Sequence, residues 1–504
     1  MRAGYALPDD QPCCIGSQTP ATATVLIEAL NVRSGPGGNF PQTGSAKRGD
    51  GLTVLGQTGK CTWLQVRTTQ HSEGWLAGGK NFVTLNVACD AIPAVTAPVA
   101  AATASPPTTT TAPSSGQLGV DFGVFSTLDD VVSADFPQAK AMGAQWSRIE
   151  LPWLKIEPSR GAFDWHVYDA PMRRAKQLGV RVLGVIHSPP TWAASESCGP
   201  ISDTVALATF VKAAVNRYRG TVYAWEFINE PDGKAPLPHY GPTIGCWGPS
   251  PAQYAQQLAL FYKTVKAVAP NTPVMFGSLA YDNWALFERQ FLSNALDNGA
   301  GPYFDLLGVH FYPINPAEFP SIWDKIKKLR DILGKHSLNN KQIWVTETAM
   351  WTNAGANGDS QKDFIVREQT RALCNGADKL FWFGIRQEGP NPPLHRWLID
   401  LHHQPDQGYY TYQHYASQIQ GRSCQGHVPN LPGKIEAYRW DGAGKTTLYI
   451  LWSNKPQTTN VALPATSAAT VINYSGTEKK TVTAQNGVIT IEIGPQPTFV
   501  VIGR

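Results

Sequence analysis

The sequence predicts an α/β protein whose main part is a (β/α)8 TIM barrel, with a small β-module before it and an antiparallel β-domain after it. Three observations predict this fold class. Strand-like and helix-like runs alternate eight times between Leu118 and about Gly421, a segment rich in Pro, Thr and Ala precedes them, and helix-like runs stop after Leu431. Eight such alternations in about 300 residues are typical of a barrel that carries its functional residues at the carboxyl ends of the strands.

Composition and charge exclude several classes of protein. A chain of 504 residues is expected to form two to four domains. Lys and Arg number 42 against 38 Asp and Glu, a net charge of +4 without a basic run, so no nucleic-acid partner is expected. No apolar stretch approaches the roughly 20 residues of a membrane helix. The first residues, MRAGYALPDD, lack a charged and then apolar leader, so we expect that a signal peptide was removed or never existed.

The N-terminal module, residues 1–89, consists of short strand-like runs. It contains the string L-N-V-R-S-G-P at Leu30–Pro36 and the string G-W-L at Gly74–Leu76. These phrases resemble those of the bacterial SH3-like domain, and the resemblance implies a small β-barrel that often binds cell-wall or surface ligands. Residues 90–117 read as a semi-extended linker and a candidate for O-glycosylation, because a Pro/Thr/Ala-rich segment cannot bury a core.

The barrel is predicted over residues 118–425. An open doubly wound sheet is the weaker alternative, because no Gly-rich phosphate loop follows the first strand. Amphipathic helices are expected at Asp203–Arg219, Ala252–Ala269 and Trp323–Lys335. The expected strands are Gly119–Phe125, Gln145–Leu151, Arg181–His187, Val222–Ile228, Pro273–Ser278, Leu306–Phe311, Gln342–Glu347 and Lys379–Phe383.

Residues 426–504 are predicted to form a small antiparallel β-domain. Short alternating runs replace the helices there. The expected strands are Ile435–Trp440, Thr447–Trp452, Thr470–Asn473, Lys480–Thr483 and Val488–Ile493.

Eight cysteines lie four on each side of the linker, which favours disulfides within each part and an oxidising, extracellular location. Adjacent Cys13 and Cys14 rarely bond each other, so we expect each to reach Cys61 or Cys89. In the barrel we expect the pairs Cys198–Cys246 and Cys374–Cys424. The alternative is a set of buried free thiols.

Two strings carry the chemistry. Ile228-Asn229-Glu230-Pro231 and Trp344-Val345-Thr346-Glu347-Thr348 each place a glutamate where an apolar run ends, on the predicted fourth and seventh strands. A retaining glycosidase needs one carboxylic acid to protonate the leaving oxygen and one carboxylate, about 5 Å away, to attack the anomeric carbon. We predict Glu230 as the acid/base, with its pKa raised by burial and a negative neighbour, and Glu347 as the ionised nucleophile.

Six further residues are predicted to bind substrate or support the glutamates. Arg148 on the second strand would supply positive charge to Glu347, and His310 or Tyr312 on the sixth strand would supply hydrogen bonds. Asn229 would bond a sugar 2-hydroxyl, a contact that strengthens in the transition state. His187 would contact the ligand, and Trp382 near the end of the eighth strand would form a stacking platform.

These strings also resemble a known group of enzymes. Trp225–Pro231, W-E-F-I-N-E-P, is similar to the strand-four signature of glycoside hydrolase clan A, and Val345-Thr346-Glu347 to its strand-seven phrase. His310-Phe311-Tyr312 resembles the H-x-Y phrase of strand six, and Arg148 falls where several clan families place an arginine. Within the clan the wording is nearest to the β-xylosidase and α-iduronidase family, with the cellulase-type family a close second. The resemblance spans some 300 residues and implies hydrolysis by water with no cofactor.

No other acidic side chain is predicted to be catalytic, and no metal ligands are predicted. Glu226 is expected to lie deeper in the barrel than Glu230 and is predicted to be a structural acid. Glu150, at the end of the second predicted strand, is likewise not predicted to be catalytic. The histidines lack H-x-x-x-H or H-E-x-x-H spacing and the cysteines lack a C-x-x-C pattern, so no metal site is predicted.

The sequence therefore predicts a secreted retaining glycoside hydrolase that cleaves β-linked oligo- or polysaccharides, with sugar and linkage left open. The first alternative is a non-catalytic glycan- or cell-wall-binding protein that kept the barrel. The second is a cell-wall enzyme whose SH3-like module directs the barrel to peptidoglycan.

Overall fold

The computed structural model describes residues 20–36, 42–68, 73–95, 117–121, 131–237, 242–281, 285–313, 319–350, 352–353, 359–387, 394–444 and 446–503. The chain divides into two compact units, Met1–Thr111 and Ala112–Arg504. Among the described residues, no helix has the length and apolar character needed to cross a membrane.

The first unit contains a seven-stranded antiparallel sheet in the order β3-β2-β6-β5-β4-β1-β7. Inward residues alternate with exposed ones along its strands, which creates a small apolar core. The strands are β1 (Thr22–Val25), β2 (Ala29–Arg33), β3 (Gln42–Lys47), β4 (Gly51–Thr58), β5 (Trp63–Arg67), β6 (Glu73–Ala77) and β7 (Val83–Leu85).

A disulfide in this unit corrects one prediction. Cys61 bonds Cys89, with their Cα atoms 6.0 Å apart, so neither is left to pair with Cys13 or Cys14. The two adjacent cysteines lie outside the described residues. Cys61 lies in the β4–β5 turn and Cys89 begins a single helical turn, Cys89–Ala91, after β7. The antiparallel sheet brings these two chain segments together, a proximity that sequence spacing does not reveal.

The second unit is built on a closed parallel barrel of eight strands, which confirms the predicted fold class. The observed strands agree with the predicted ones to within one or two residues where they are described, and residues 122–125 of the first predicted strand lie outside the described residues. The barrel strands are β8 (Leu118–Asp121), β9 (Trp146–Pro152), β10 (Arg181–His187), β11 (Val222–Phe227), β12 (Val274–Leu279), β13 (Leu306–Phe311), β14 (Gln342–Thr348) and β16 (Ala377–Phe383); β15 (Thr352–Asn353) and β17 (Leu394–His395) pair as a separate ribbon.

Helices surround the barrel and turn their apolar faces to it. The three predicted helices are present at Thr204–Arg217, Pro251–Val268 and Ile322–Lys335. In chain order the α-helices are α1 (Phe136–Ala141), α2 (Trp153–Ile156), α3 (His166–Leu178), α4 (Thr204–Arg217), α5 (Pro251–Val268), α6 (Phe291–Asp297), α7 (Ile322–Lys335), α8 (Asp359–Cys374) and α9 (Gln407–Ile419), with a π-helix at Val131–Asp135 and a 3-10 helix at Gly301–Tyr303.

The amino-terminal end of the barrel is closed by a layer of inward side chains. Trp146 and Trp344 meet edge to face with ring centroids 5.0 Å apart. The ammonium of Lys379 lies 4.8 Å from the Trp146 ring and 5.1 Å from the Trp344 ring. Burial lowers the pKa of Lys379 to about 8. Since this end is sealed by aromatic packing, the opposite end is left for chemistry.

The C-terminal part of the second unit is antiparallel, as predicted. Three of its strands were not predicted, namely the short strand after α9, the strand at Thr459–Pro464 and the last strand of the chain. The strands are β18 (Ser423–His427), β19 (Ile435–Asp441), β20 (Thr447–Ser453), β21 (Thr459–Pro464), β22 (Ala469–Asn473), β23 (Lys479–Val482), β24 (Val488–Ile493) and β25 (Thr498–Ile502).

The antiparallel part is fixed to the barrel through α8. The Arg371 guanidinium on α8 donates two hydrogen bonds to the carboxylate of Glu436 on β19, at 2.8 and 2.7 Å. The predicted disulfides Cys374–Cys424, at the end of α8, and Cys198–Cys246, in the loops after β10 and β11, are both present.

Candidate active site

The two predicted catalytic glutamates meet at the carboxyl end of the barrel. Glu230 follows β11, Glu347 lies near the end of β14, and both are buried. One carboxylate oxygen of each, together with a ring nitrogen of His310, lies within a group whose atoms are at most 4.8 Å from one another. Carboxyl groups that act by double displacement lie about 5–5.5 Å apart, whereas the inverting arrangement needs about 6.5–9.5 Å. The spacing therefore fits the retaining class.

The backbone that presents Glu230 has an unusual conformation. Ile228 has φ 65° and Glu230 has φ 44°, both in the left-handed region that β-branched and bulky residues rarely adopt. The Glu230 N–H donates to the carbonyl of Ser278 on β12 at 2.9 Å, and the Ile228 N–H donates to that of Ile186 on β10 at 2.9 Å. Backbone strain of this kind persists only where the surroundings enforce it, and it clusters at functional sites.

Glu347 is surrounded by hydrogen-bond donors. Nη1 of Arg148 donates to its Oε1 at 2.8 Å, and the Tyr312 hydroxyl donates to its Oε2 at 2.7 Å. A permanent cation and a hydroxyl donor both favour the ionised carboxylate. The predicted contacts of Arg148 and Tyr312 with Glu347 are therefore present, and the role of Glu347 as an ionised nucleophile stays a prediction.

His310 contacts both glutamates. Its Nδ1 lies 2.7 Å from Oε1 of Glu230, and its Nε2 lies 3.3 Å from Oε1 of Glu347. The ring is fully buried. Behind it, the ammonium of Lys325 on α7 donates to the carbonyls of His310 and Ala280, each at 2.9 Å. Lys325, which the sequence analysis missed, therefore ties the ends of β12 and β13 together.

Arg148 connects the site to the barrel interior. Its Nε and Nη2 donate to the two carboxylate oxygens of Glu226 at 2.9 and 3.0 Å, and Nη2 also donates to Oδ1 of Asn229 at 2.7 Å. Glu226 is fully buried and its Oε1 also accepts the Ser278 N–H at 3.0 Å. Glu226 thus has the structural role predicted for it, since its oxygens are committed to holding Arg148.

Asn229 is oriented on both sides of its amide group. Its Oδ1 accepts from Arg148, and its Nδ2 donates to the carbonyl of Thr243 at 3.2 Å. An amide nitrogen carries two N–H bonds. Its second N–H is the group that would donate to a sugar hydroxyl. The predicted contact with the sugar stays a prediction.

His187 is buried beside Glu150 at the end of β10. Its Nε2 lies 3.4 Å from a Glu150 oxygen and its Nδ1 lies 2.8 Å from the Ser188 hydroxyl. Burial, together with the charge of Arg148, lowers the pKa of His187 to about 3, so the ring is neutral at ordinary pH. Its predicted contact with substrate stays a prediction.

Trp382 does not form the predicted platform. Its side chain is fully buried between barrel and helices, 6.2 Å from the ring of Phe364 on α8, and its indole N–H donates to the carbonyl of Arg396 at 3.2 Å. Successive residues of a strand face opposite sides, so the half-buried Phe383 points the other way. Its ring meets that of Tyr312 edge to face at 6.2 Å. Alternation along the strand could have predicted this. Phe381 faces the barrel interior, so Phe383, two residues later, faces the same side.

Asp232 is a further buried acid that the sequence analysis missed. Its carboxylate accepts the backbone N–H groups of Ala280 and Tyr281, at 3.1 and 2.8 Å, and so joins the loop after β11 to the end of β12. Burial raises the pKa of Asp232 to about 7, against the effect of those N–H groups and with a contribution from the charge of Glu230. Its position two residues after Glu230 is the sequence feature that could have pointed to it.

The donor set of Glu230, His310 and Glu347 would also be compatible in type with a divalent cation. The Arg148 guanidinium, 2.8 Å from the Glu347 carboxylate, places a permanent positive charge against any such ion. A cation there would be repelled by Arg148, whereas a carboxylate pair is stabilised by it. The arrangement therefore favours acid–base and nucleophilic chemistry.

Parts of the chain are similar to known protein families. Residues 28–80 match the bacterial SH3 domain, residues 227–412 the glycosyl hydrolase catalytic core and residues 134–236 glycosyl hydrolase family 10. An endo-1,4-beta-xylanase from Agaricus bisporus is 30% identical over 103 residues, which are 20% of this chain and 29% of that protein. The match therefore spans less than a third of the relative.

Solved structures extend the likeness over more of the chain. A family 39 glycoside hydrolase from the gut symbiont Bacteroides cellulosilyticus WH2 has a TM-score of 0.62 at 19% identity, covering 97% of this chain and 96% of that one. A family 30 endoxylanase from Clostridium papyrosolvens C71 has a TM-score of 0.54 at 16% identity, covering 77% and 96%. At such identities the likeness concerns the fold. Together with the sequence matches, it confirms the predicted resemblance to an SH3 domain followed by a clan A core.

Proposed function

We propose that this chain, which carries a bacterial SH3 domain and a clan A glycosyl hydrolase core, is a secreted retaining glycosidase of β-linked glycans. Glu347 acts as the nucleophile and Glu230 as the acid/base. The observation that supports this most strongly is the pair of carboxylate oxygens no more than 4.8 Å apart, in surroundings that differ in charge. Arg148 and Tyr312 donate to Glu347, while Glu230 meets the ring of His310.

In the first step, an oxygen of Glu347 attacks the anomeric carbon and the bond from that carbon to the leaving oxygen breaks. Glu230 gives its proton to the leaving oxygen, which departs as an alcohol, and the sugar becomes an ester of Glu347. Arg148 holds Glu347 before attack, and Asn229 is placed to bond the sugar 2-hydroxyl as charge develops on the ring.

In the second step, water attacks the anomeric carbon from the side of the departed group. Glu230, now a carboxylate, takes a proton from that water, and the ester bond to Glu347 breaks. The sugar leaves with its original anomeric configuration, because two inversions have occurred. Each glutamate returns to its starting protonation state.

We propose β-linked xylose polymers as the first substrates to test. The partial match to an endo-1,4-beta-xylanase and the fold likeness to a family 30 endoxylanase support this choice. A likeness in fold to a glucosidase from Croceicoccus marinus, with a TM-score of 0.57 at 14% identity over 77% of this chain and 96% of that one, makes β-glucosides the second choice.

The three disulfides found among the described residues support an extracellular location for the enzyme. We propose that the SH3 domain holds the barrel near a cell wall or an insoluble polymer. Binding of full-length protein to cell walls, xylan and cellulose, compared with a variant lacking residues 1–111, tests this part separately.

The central experiment follows product stereochemistry by proton NMR during hydrolysis of an aryl β-xyloside and of xylan. The first-formed sugar is expected to be the β-anomer. Glu347→Ala is expected to lose at least about 1,000-fold in kcat and to be partly rescued by azide as the α-glycosyl azide. Glu196→Gln, at an exposed carboxylate after β10, is the matched control and is expected to keep full activity.

An initial α-anomer, or a Glu347→Ala variant within about tenfold of the parent enzyme, would overturn the assignment. The alternative is a non-catalytic glycan-binding protein. Saturable binding of xylan without turnover by the parent protein would favour it. The presence of both carboxylates, each with a distinct set of partners, supports the catalytic proposal.

A further inference from the structure

We propose that the Cys198–Cys246 disulfide positions the acid/base Glu230 by clamping a segment that wraps around its backbone. This inference rests on the role proposed above for Glu230. The segment is Pro242–Gly248, here called the collar, and it follows β11 in the chain. Cys246 belongs to the collar, whereas Cys198 belongs to the loop after β10.

The collar contacts the residues on both sides of Glu230. The Gly245 N–H donates to the carbonyl of Asn229 at 2.8 Å, and the Trp247 N–H donates to that of Pro231 at 3.1 Å. The Asn229 side chain donates in turn to the carbonyl of Thr243 at 3.2 Å. These hydrogen bonds fix the peptide groups that determine the direction of the Glu230 side chain.

The collar lies too close to this backbone to shift without affecting it. A Cβ atom added at Gly245 would lie 2.8 Å from Cγ2 of Ile228 and 2.9 Å from Cα of Pro231. Ile228 and Glu230 have the positive φ angles already described, 65° and 44°. A left-handed isoleucine relaxes unless neighbouring structure opposes it, and the collar is in direct contact with it.

The disulfide fixes the collar to the loop after β10. The two Cα atoms are 5.2 Å apart, and the Cys246 N–H also donates to the carbonyl of Cys198 at 2.9 Å. At the start of the collar, the Ser188 hydroxyl donates to the carbonyl of Pro242 at 2.7 Å. The collar is thus held from the β10 side at two points, with Glu230 on its inner side.

A second disulfide in the same unit provides a matched control. Cys374–Cys424 spans 50 residues of chain, against 48 for Cys198–Cys246. Loops of similar length lose similar conformational entropy on cross-linking, so removing either bond should destabilise the fold by a comparable amount. Cys374 and Cys424 join the end of α8 to β18, away from the residues that contact Glu230.

The experiment compares C198A/C246A with C374A/C424A in the full chain, by amide hydrogen exchange and by kinetics on aryl glycosides. In C198A/C246A, amides of residues 225–237 and 242–249 should exchange at least about tenfold faster. Its kcat/KM, which reports the step in which the leaving group departs, should fall about 10–100-fold for a leaving group of high pKa and less than about threefold for dinitrophenol, because proton donation matters most for poor leaving groups. C374A/C424A should show neither change.

Equal effects of the two variants on exchange and on the leaving-group dependence would overturn the inference. Hydrogen exchange is measured without substrate and does not depend on activity. If the parent enzyme hydrolyses no glycoside, the proposed function is wrong, and the exchange data alone still test whether the disulfide holds the collar in place. If C198A/C246A does not fold, C198V/C246A, which restores lost volume, is measured in the same way. Failure of both to fold while C374A/C424A folds would also overturn it, since the bond would then be a requirement for folding.

Discussion

His310 lies between the carboxylates of Glu230 and Glu347, with Nδ1 2.7 Å from Glu230 Oε1 and Nε2 3.3 Å from Glu347 Oε1. One imidazole therefore contacts the proposed proton donor and the proposed nucleophile at once. In the neutral imidazole only one nitrogen carries a proton to donate, whereas in the cation both nitrogens do. The protonation state of His310 therefore links the charges of the two glutamates. Lys325 holds the backbone at this position by a hydrogen bond to the His310 carbonyl.

Replacing His310 should therefore impair the chemical step more than substrate binding. We expect His310→Leu to lower kcat by about 100-fold or more with KM changed by less than about threefold. His310→Asn, which keeps a polar atom near the position of Nδ1, should lose less. The pH dependence of kcat/KM should shift in both variants. Exposed His166→Asn is the control, and a His310→Leu enzyme within threefold of the parent would refute the expectation.

Glu226 should matter for activity although it is placed away from substrate. Glu226→Gln removes one of the charges that oppose the buried Arg148. Glu347 and Glu150 still lie 2.8 and 3.6 Å from Arg148, so we expect a loss of about 1–3 kcal/mol of stability. We expect kcat to fall about tenfold or more as Arg148 loses its orientation toward Glu347. Urea unfolding and steady-state kinetics measure the two effects.

The pair Asp169–Arg217 on the barrel surface supplies the comparison for Glu226. Arg217 is 42% exposed, and solvent screens an ion pair of this kind to about 0–1 kcal/mol. Asp169→Asn should therefore leave kcat unchanged and cost little stability. Equal losses in the two variants would show that Glu226 has no special role.

Two adjacent aromatic residues of β16 should respond differently to substitution. Phe383 faces the site beside Tyr312, so Phe383→Ala should lower kcat/KM about tenfold or more with a smaller loss of stability. Trp382 faces α8, so Trp382→Ala should lose about 3–5 kcal/mol, and Trp382→Phe should keep kcat/KM within about threefold. Thermal unfolding and kinetics on one aryl glycoside separate the two effects. A catalytic loss confined to the Trp382 variants would reverse the assignment.

The positions of Glu230 and Glu347 could be predicted because strand ends leave a strong pattern in sequence, namely an apolar run that stops at a polar residue. The prediction for Trp382 was wrong because successive side chains of a strand face opposite sides, and a shift of one residue along a strand moves a side chain to the other face. The Cys61–Cys89 bond and the contacts of Lys325 arise between distant segments. Only the assembled fold brings those segments together, so local sequence could not predict them.

The ion pair that joins α8 to β19 gives stability a defined dependence on pH. Burial alone would raise the pKa of Glu436, but hydrogen bonds and charge from Arg371, with help from Asn454 and Tyr438, outweigh it and lower that pKa to about 2. Glu368 also pairs with Arg371, yet burial outweighs the attraction and its pKa is raised. The two carboxylates therefore act in opposite directions as pH changes, and substitution of Glu436 isolates one of them.

A carboxylate whose pKa is lower in the folded state stabilises the protein above its unfolded pKa, near 4.5, and loses that contribution as pH falls toward 2. A difference of this size corresponds to stability on the order of 3 kcal/mol. The free energy of unfolding in urea should thus fall more steeply between pH 5 and pH 2.5 (roughly the interval between the two pKa values) in the parent than in Glu436→Gln. Glu478→Gln, at an exposed carboxylate of the same β-domain, should follow the parent curve. Parallel curves for the parent and Glu436→Gln would mean that Arg371 gives the folded state no preference for the ionised carboxylate.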